Sequence, residues 1–164
     1  MKPRWITSER FERVGRFVVG GAKEDVFPLL CPVLEYEWLP GWSCTMMYSD
    51  SGAAEKNAIF MTREKLRRKV MWTTITYEPD SLIEYLLVMG SDAVVRLSIG
   101  LEDSPGHSTR IVWRMLFTAT GRLARHMLPR SFSEEKFRSM LGKRERELND
   151  FLRRPRQSAA STQR

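Results

Sequence analysis

Six short segments of alternating apolar and polar residues, separated by turn residues, run from position 43 to position 118. Such alternation has the period of a β-strand that buries one of its faces. The turns between the segments are too short to hold a crossover helix, so consecutive segments must pair as antiparallel strands. The predicted strands cover residues 43–48, 57–62, 68–77, 82–89, 93–101 and 110–118.

The chain before these segments predicts one more strand and a short helix. Residues 13–19 are rich in β-branched and aromatic side chains and end at a pair of glycines. Residues 23–30 place apolar side chains at helical spacing, with two acids in the first turn. Pro28 lies within this segment, so the helix is expected to be short or broken.

After the strands, the sequence predicts one long helix. Ser131 and Glu134 match the S-x-x-E pattern of a capping box, with Ser131 as the N-cap. Apolar residues then recur at helical spacing until Pro155, which corresponds to roughly 22 residues and about 33 Å of helix. The apolar face of this helix is formed by Phe137, Leu141, Leu148 and Phe151.

A sheet with one apolar face and a single amphipathic helix can bury both surfaces when the sheet curves around the helix. The last two predicted strands support this arrangement, because their apolar residues share one parity and the opposite parity is mixed. The apolar parity consists of Val95, Leu97, Ile99, Leu101, Ile111, Trp113, Met115 and Phe117. The predicted fold is therefore α+β, with a curved antiparallel sheet of about seven strands in the order β-α-α-β6-α, wrapped around a long C-terminal helix.

Length and composition predict one soluble domain. A chain of 164 residues with 42% apolar residues can bury a core without disulfides or metals. The two cysteines are expected to be free thiols, and the absence of an apolar leader or a long apolar run favours a cytoplasmic location. We expect an N-terminal arm over residues 1–9, the folded domain over 10–154 and a basic flexible tail over 155–164.

The net charge of +7 comes from one end of the chain. Residues 1–121 contain 15 Lys/Arg and 15 Asp/Glu, whereas residues 122–164 contain 12 Lys/Arg and 5 Asp/Glu. A solvated helix face followed by a basic tail accounts for this excess. The alternative is an interaction module that docks through its basic C-terminal helix to RNA, a ribosome or an anionic membrane.

Motifs for metal, nucleotide or nucleophilic chemistry do not assemble in this sequence. The two histidines, His107 and His126, and the two cysteines lack zinc-site spacing. Glycine-rich phosphate loops and the nucleophile-elbow pattern are also missing. We therefore predict no metal and no cofactor.

The stretch CPVLEYEWLPGW, which ends at Trp42, combines acids with large aromatic residues. If it is helical, Glu35 and Trp38 share a face. Glu35 could then act as a general acid or base with a raised pKa, anchor a polar group of a ligand, or form an ion pair with Arg96 or Arg114. Tyr residues at positions 77 and 85 are weaker candidates for a polar group in a cavity.

The sequence also resembles the START/Bet v 1-like (SRPBCC) superfamily, which includes polyketide cyclase/dehydrase-like and lipid-transport proteins. The resemblance depends on the order of elements over residues 10–154 and on two motifs. These are Phe17-x-Val19-x-Gly21-x-x-Glu24-x-Val26-Phe27-x-Leu29-Leu30 and Cys31-Pro32…Glu35-x-x-Trp38…Gly41-Trp42. The chain departs from the family at Gly20-Gly21, where Ala-Pro is frequent, and in its basic tail.

The resemblance implies binding or transport of a lipid, isoprenoid or polyketide-like molecule in a cavity between the sheet and the C-terminal helix. The alternative is a cyclase- or dehydratase-type enzyme, a lyase or an isomerase, that uses Glu35 in the same cavity. For any single lining residue, ordinary core packing is the competing and more frequent interpretation. The candidate ligand-binding residues are Glu35, Trp38, Trp42, Met61, Trp72, Tyr85, Leu97, Trp113, Met115, Phe117, Phe137 and Leu141.

Overall fold

The computed structural model describes residues 8–63 and 69–154. Within these ranges the chain forms one antiparallel sheet of seven strands, in the order β1-β7-β6-β5-β4-β3-β2. The strands are β1 (Glu9–Gly20), β2 (Cys44–Tyr48), β3 (Ile59–Arg63), β4 (Lys69–Glu78), β5 (Leu82–Met89), β6 (Ala93–Ser104) and β7 (Ser108–Ala119). Each predicted strand is present, and the edges differ by a few residues.

The helices flank this sheet at both ends of the chain. After β1, helix α1 (Lys23–Val26) passes directly into a 3-10 helix over Phe27–Leu30, with Pro28 in its first turn, so the predicted helix is short and broken. A single turn, α2 (Glu35–Trp38), follows before β2. Two helices end the described chain, α3 (Arg122–Ser131) and α4 (Glu134–Leu152).

The sheet presents its apolar parity inward, as the alternation predicts. The β6 and β7 strands pair in register from Ala93 opposite Ala119 to Ser104 opposite Ser108, and the inward residues of both strands are buried. Register shifts between Met46 and Tyr48 in β2, and between Thr74 and Thr76 in β4, interrupt the regular ladder. Bulges of this kind bend a strand and increase its twist, which helps the sheet to curve.

Helix α4 lies along β1, an edge strand of the sheet. Its Asn149 side chain accepts a hydrogen bond from the Gly20 amide at 2.9 Å and donates one to the Val18 carbonyl at 3.2 Å. The Val18 amide donates to Glu145 at 3.2 Å. These side chains satisfy backbone groups that an edge strand would otherwise leave unpaired. The helix also buries Phe137, Leu141 and Leu148.

The start of the long helix differs from the sequence prediction. Ser131 is the last residue of α3, and the N-cap of α4 is Ser133, whose hydroxyl accepts a hydrogen bond from the Lys136 amide at 3.4 Å. The sequence pattern placed the cap two residues early and did not separate α3 from α4. Helix α3 contains Pro129, a residue that ordinarily ends or breaks a helix, and this proline argued against a helix running up to Ser131.

Several expectations concern parts of the chain that the structure does not describe. Most of the N-terminal arm (residues 1–7) and the whole tail (residues 155–164) lie outside the described residues, as do residues 64–68 between β3 and β4. Cys31 and Cys44 are free thiols. Among the described helices, none has the length and apolar character needed to span a membrane.

Candidate functional site: a cavity between the sheet and helix α4

A cavity of about 580 Å³ lies between the concave face of the sheet, α2 and α4. This volume falls within the range of roughly 300–1,000 Å³ that small-molecule sites occupy. Most of the lining side chains are apolar or aromatic and come from β3 to β7. The lining residues are Leu30, Pro32, Glu35, Leu39, Trp42, Phe60, Trp72, Tyr85, Leu87, Met89, Val95, Leu97, Ile99, Trp113, Met115, Phe117, Ser131, Phe132, Met140 and Arg144.

One wall of the cavity is a cluster of aromatic rings. Trp72 stacks on Phe60 with ring centroids 5.2 Å apart and meets Trp42 edge-on at 6.2 Å. The Trp42 indole N–H donates to the Pro32 carbonyl at 2.8 Å, and the Trp72 indole N–H donates to the Thr62 hydroxyl at 2.8 Å. Because these polar edges are bonded to the protein, the rings contribute mainly apolar surface to the cavity.

Tyr85 adds a hydroxyl to the same wall. It donates a hydrogen bond to the Leu30 carbonyl at 3.0 Å. Burial raises the pKa of this hydroxyl well above 10, so Tyr85 stays neutral. Its bond to Leu30 ties β5 to the 3-10 helix at the edge of the cavity.

Glu35 brings a carboxyl group into this apolar setting. It is the first residue of α2 and is half-buried at the cavity surface. Burial raises the pKa of Glu35 from 4.5 to about 8, and the positive charge of Arg144 opposes this rise without cancelling it. A carboxyl group with this pKa is mostly protonated at neutral pH and can donate a hydrogen bond.

Arg144 approaches the cavity from the other side, on α4. Its guanidinium donates a hydrogen bond to Glu147 at 3.1 Å, and Glu147 also pairs with Lys143 at 3.6 Å. The Arg144 side chain remains 25% exposed. Glu35 and Arg144 thus provide the cavity with one neutral acid and one cation.

The structure is similar to solved structures of low sequence identity. Norcoclaurine synthase from Thalictrum flavum matches with a TM-score of 0.68 at 10% identity, over 94% of this chain and 100% of that chain. A structure of the same synthase in complex with dopamine and hydroxybenzaldehyde matches with a TM-score of 0.63 at 12% identity, over 93% of this chain and 94% of that one.

Two further proteins extend the comparison. Mll3558 from Rhizobium loti has a TM-score of 0.63 at 14% identity, over 87% of this chain and 99% of that chain. DynU16, from the dynemicin biosynthetic locus, has a TM-score of 0.56 at 11% identity, over 86% of this chain and 46% of that chain. No family model matches the chain, and no curated protein shows significant sequence similarity to it.

This chain has the START/Bet v 1-like helix-grip fold. The seven-stranded sheet of the described residues, the two short helical segments after β1 and the long helix α4 agree with the element order predicted from the sequence. Helix α3 is an additional element relative to that prediction.

In this helix-grip fold, many of the predicted ligand-binding residues come together around the cavity. They are contributed by α2 and its following turn, and by four neighbouring strands. The predicted residues that line the cavity are Glu35, Trp42, Trp72, Tyr85, Leu97, Trp113, Met115 and Phe117.

The other predicted residues lie elsewhere. Trp38 is buried, and its indole N–H donates to the Leu29 carbonyl at 2.7 Å. This hydrogen bond links α2 to the 3-10 helix. Met61 has the opposite parity from Phe60 on β3 and does not line the cavity. Phe137 and Leu141 face β1 and flank a separate groove there.

Of the three alternatives for Glu35, the ion pair with Arg96 or Arg114 is wrong. Arg96 bonds to Glu84 at 2.8 Å, and Arg114 bonds to Glu12 at 3.1 Å. Both arginines have the outward parity of their strands, so neither can reach the cavity. Among the tyrosines, Tyr77 packs edge-on against Phe27 at 5.3 Å and does not line the cavity.

Sequence reasoning assigned the wrong side of α4 to the cavity. The side of this helix that faces the cavity carries Met140 and Arg144, which are spaced one turn apart beside the buried stripe of Phe137 and Leu141. The i, i+4 spacing of these two residues was the available signal. The rotation of α4 about its axis, however, is fixed by tertiary packing against β1.

A smaller groove of about 350 Å³ adjoins the cavity beneath α3. Met89 and Ser131 line both spaces, so the two are neighbours at this end of the sheet. Leu123 and Met127 of α3 line the groove and remain 61% and 53% exposed. Helix α3 therefore covers this end loosely.

Metal binding has no candidate site in residues 8–63 and 69–154. No group of three or more His, Cys, Asp or Glu side chains in these ranges is arranged to hold a metal ion. The polar chemistry of the cavity therefore depends on Glu35, Arg144 and the hydrogen-bonding edges of its aromatic residues.

Proposed function

We propose that this protein binds or carries an apolar small molecule, such as a lipid, an isoprenoid or a polyketide-like aromatic compound, in the cavity between the sheet and α4. The observation that carries the proposal is a cavity of about 580 Å³ whose lining is mostly apolar and includes few polar groups. Burying an apolar ligand there is favoured by about 25 cal/mol for each Å² removed from water. The polar groups then orient the ligand.

The fold provides independent support for this proposal. Norcoclaurine synthase, a protein with the same fold, has been solved in complex with dopamine and hydroxybenzaldehyde. The proposal extends small-molecule binding to this chain. The sequence identity of 10–14% to these proteins supports a shared fold and leaves the identity of the molecule to the lining residues of this chain.

Filling the cavity tests the proposal directly. Met115 lies on the cavity wall and is 8% exposed, so Met115→Trp should occupy ligand space. We expect this change to weaken binding of the neutral fluorescent probe N-phenyl-1-naphthylamine by about tenfold or more, because a filled cavity excludes the ligand. Probe fluorescence during a titration measures the affinity.

Met71→Trp is the matched control, because Met71 is 47% exposed on the outer face of β4. It should leave probe affinity within about twofold of wild type. Circular dichroism and thermal unfolding establish that both variants fold. A wild-type protein that fails to bind the probe, or equal binding by the two variants, would contradict the proposal.

A second candidate function, acid–base catalysis in the same cavity, is favoured by the pKa of about 8 at Glu35. A carboxylate in an apolar site is a stronger base than in water and can remove a proton from carbon next to a carbonyl group. The resulting enolate regains a proton from solvent. This is the elementary step of an isomerase or of a cyclase- or dehydratase-type lyase.

Deuterium exchange tests this second candidate. We expect the protein in D₂O to accelerate exchange of the α-hydrogens of 2-decanone, with a rate that rises with pH through about 8. Glu35→Gln should abolish the acceleration and leave ketone affinity nearly unchanged, whereas Glu37→Gln, on the exposed side of α2, is the matched control. Proton NMR follows the exchange. An unchanged rate in Glu35→Gln excludes Glu35 as the base.

A further inference from the structure

The cavity has more free hydrogen-bond donors than its own acceptors satisfy. Trp42, Trp72 and Tyr85 each donate to a protein oxygen. Arg144 differs from these three residues, because most of its donors are not bonded to a protein oxygen. Arg144 carries only donors, and a guanidinium with five N–H groups keeps several of them after its bond to Glu147.

Trp113 adds a further unsatisfied donor. It lines the cavity, and its indole N–H is buried without a hydrogen-bond partner among the described residues. A buried polar group without a partner is costly, so such groups are normally bonded. This nitrogen has no accessible surface, so the donor that a ligand can reach is Arg144, whose side chain is 25% exposed.

Trp113 and Arg144 both line the cavity, Trp113 from β7 and Arg144 from α4. Trp113 pairs with Gly15 across the β1–β7 ladder. Gly15 in turn lies against Leu141, because a Cβ built on this glycine would clash with the Leu141 side chain. Leu141 precedes Arg144 by about one turn of α4. Glu35 lines the cavity from α2. Its carboxyl group is close enough to Arg144 for the positive charge to lower the pKa of Glu35.

We propose that the molecule held in this cavity is an apolar acid, whose carboxylate binds Arg144 and accepts a hydrogen bond from Glu35 while its chain or ring lies against the aromatic wall. This inference rests on the proposed function and names the chemical class of its ligand. Hydrogen bonds between a guanidinium and a carboxylate are among the stronger ones in proteins, especially away from bulk water. A protonated Glu35 adds a donor without adding negative charge.

The charges of the cavity disfavour the opposite class of ligand. Among the described lining residues Arg144 is the cation, and Glu35 is mostly uncharged at neutral pH. An ammonium group would be repelled by Arg144 and would find no ionised partner at pH 7. A neutral alcohol would bind without the charge-assisted bond.

A series of ligands with the same chain and different head groups tests the inference. Calorimetric titrations at pH 7 would compare decanoate, 1-decanol and decylamine. Decanoate should bind about tenfold or more tightly than decanol, since one charge-assisted bond accounts for at least this ratio. Decylamine should bind most weakly.

Variants of Arg144 locate the origin of the preference. Arg144→Met should bind decanoate and decanol with about equal affinity, because the charge-assisted bond that favours the acid is lost. Arg144→Lys should restore part of the preference for the acid. Arg146→Met, which removes an exposed arginine from the same helix, is the matched control and should keep the full preference.

The outcomes separate this inference from the proposed function. If acid, alcohol and amine bind equally, or if the amine binds most tightly, the head-group assignment is wrong and the carrier function stands. A preference for decanoate that persists in Arg144→Met also overturns the assignment. If none of the three ligands binds to the wild-type protein, both the assignment and the proposed function fail. The wild-type series decides the head-group question even if Arg144→Met does not fold.

Discussion

At the residue scale, Glu35 links the chemistry of the cavity to the stability of the fold. Its carboxyl group is held in an apolar setting between α2 and α4, where its charged form is disfavoured. The groups that face it are Arg144 from α4 and Tyr85 from β5, with Cys44 of β2 nearby. Arg144 lowers the pKa of Glu35, and burial raises it by more.

The pH dependence of stability follows from this pKa. An acid whose pKa is raised on folding binds its proton more tightly in the folded state. Its contribution to the free energy of unfolding is therefore complete below pH 4.5 and is lost as the pH rises through about 8. A shift of this size corresponds to at most about 5 kcal/mol, and solvent that reaches the half-buried carboxyl group reduces the effect to the order of 2 kcal/mol.

We expect Glu35→Gln to remove this loss, because glutamine stays neutral at every pH. Relative to wild type, the variant should become more stable by roughly 2 kcal/mol between pH 5 and pH 9. Urea unfolding across this pH range measures the difference, and Glu37→Gln is the matched control on the same turn. A stability difference between Glu35→Gln and wild type that does not change with pH would show that Glu35 titrates normally.

At the scale of elements, the contact between α4 and β1 sets one boundary of the cavity. Gly15 in β1 allows the helix to approach closely, because a Cβ at this position would lie 2.2 Å from the Leu141 side chain. The same helix carries Met140 and Arg144 on its cavity side. A displacement of α4 at Gly15 would therefore also move these two residues.

Gly15→Ala should destabilise the fold by about 1–3 kcal/mol, the usual cost of overpacking a buried contact. Gly100→Ala in β6 is the matched control, because the nearest side-chain atom to its added Cβ is 4.0 Å away, on Val112. Chemical denaturation compares the two variants. Equal effects on the free energy of unfolding would mean that the approach of α4 to β1 is not the limiting contact.

The elements that could be predicted from the sequence are those whose pattern is local. Strand alternation and short turns predicted the whole sheet, because period-two burial is visible within each segment. The separation of α3 from α4 could not be predicted, because Pro129 lies within α3 and proline ordinarily ends or breaks a helix. The position of Arg144 in the cavity lining could not be predicted either. An arginine on a helix is ordinarily solvated, and only the packing of α4 places this one at the cavity.

At the scale of the whole molecule, the curved sheet and α4 bury their apolar faces without filling the space between them. Residues around that space come from α2, the sheet, the junction between α3 and α4, and α4 itself. The sequence predicted some of the aromatic and aliphatic residues in this lining, such as Trp72, Leu97 and Met115, because inward parity on neighbouring strands places such residues together. The volume of the cavity could not be predicted, because it depends on how the sheet and the helices pack together.

The methionines allow the presence of a ligand-accessible cavity between the sheet and α4 to be tested in solution. Met89, Met115 and Met140 line the cavity, whereas Met47 and Met71 are 55% and 47% exposed. Methyl NMR of ¹³C-labelled methionine, during a titration with N-phenyl-1-naphthylamine, would report on both groups at once, because the aromatic rings of the probe shift nearby resonances. With one probe bound, we expect saturable shifts at Met89, Met115 and Met140, and little change at Met47 and Met71. Equal shifts at all five methionines, or none at the three that line the cavity, would contradict this expectation.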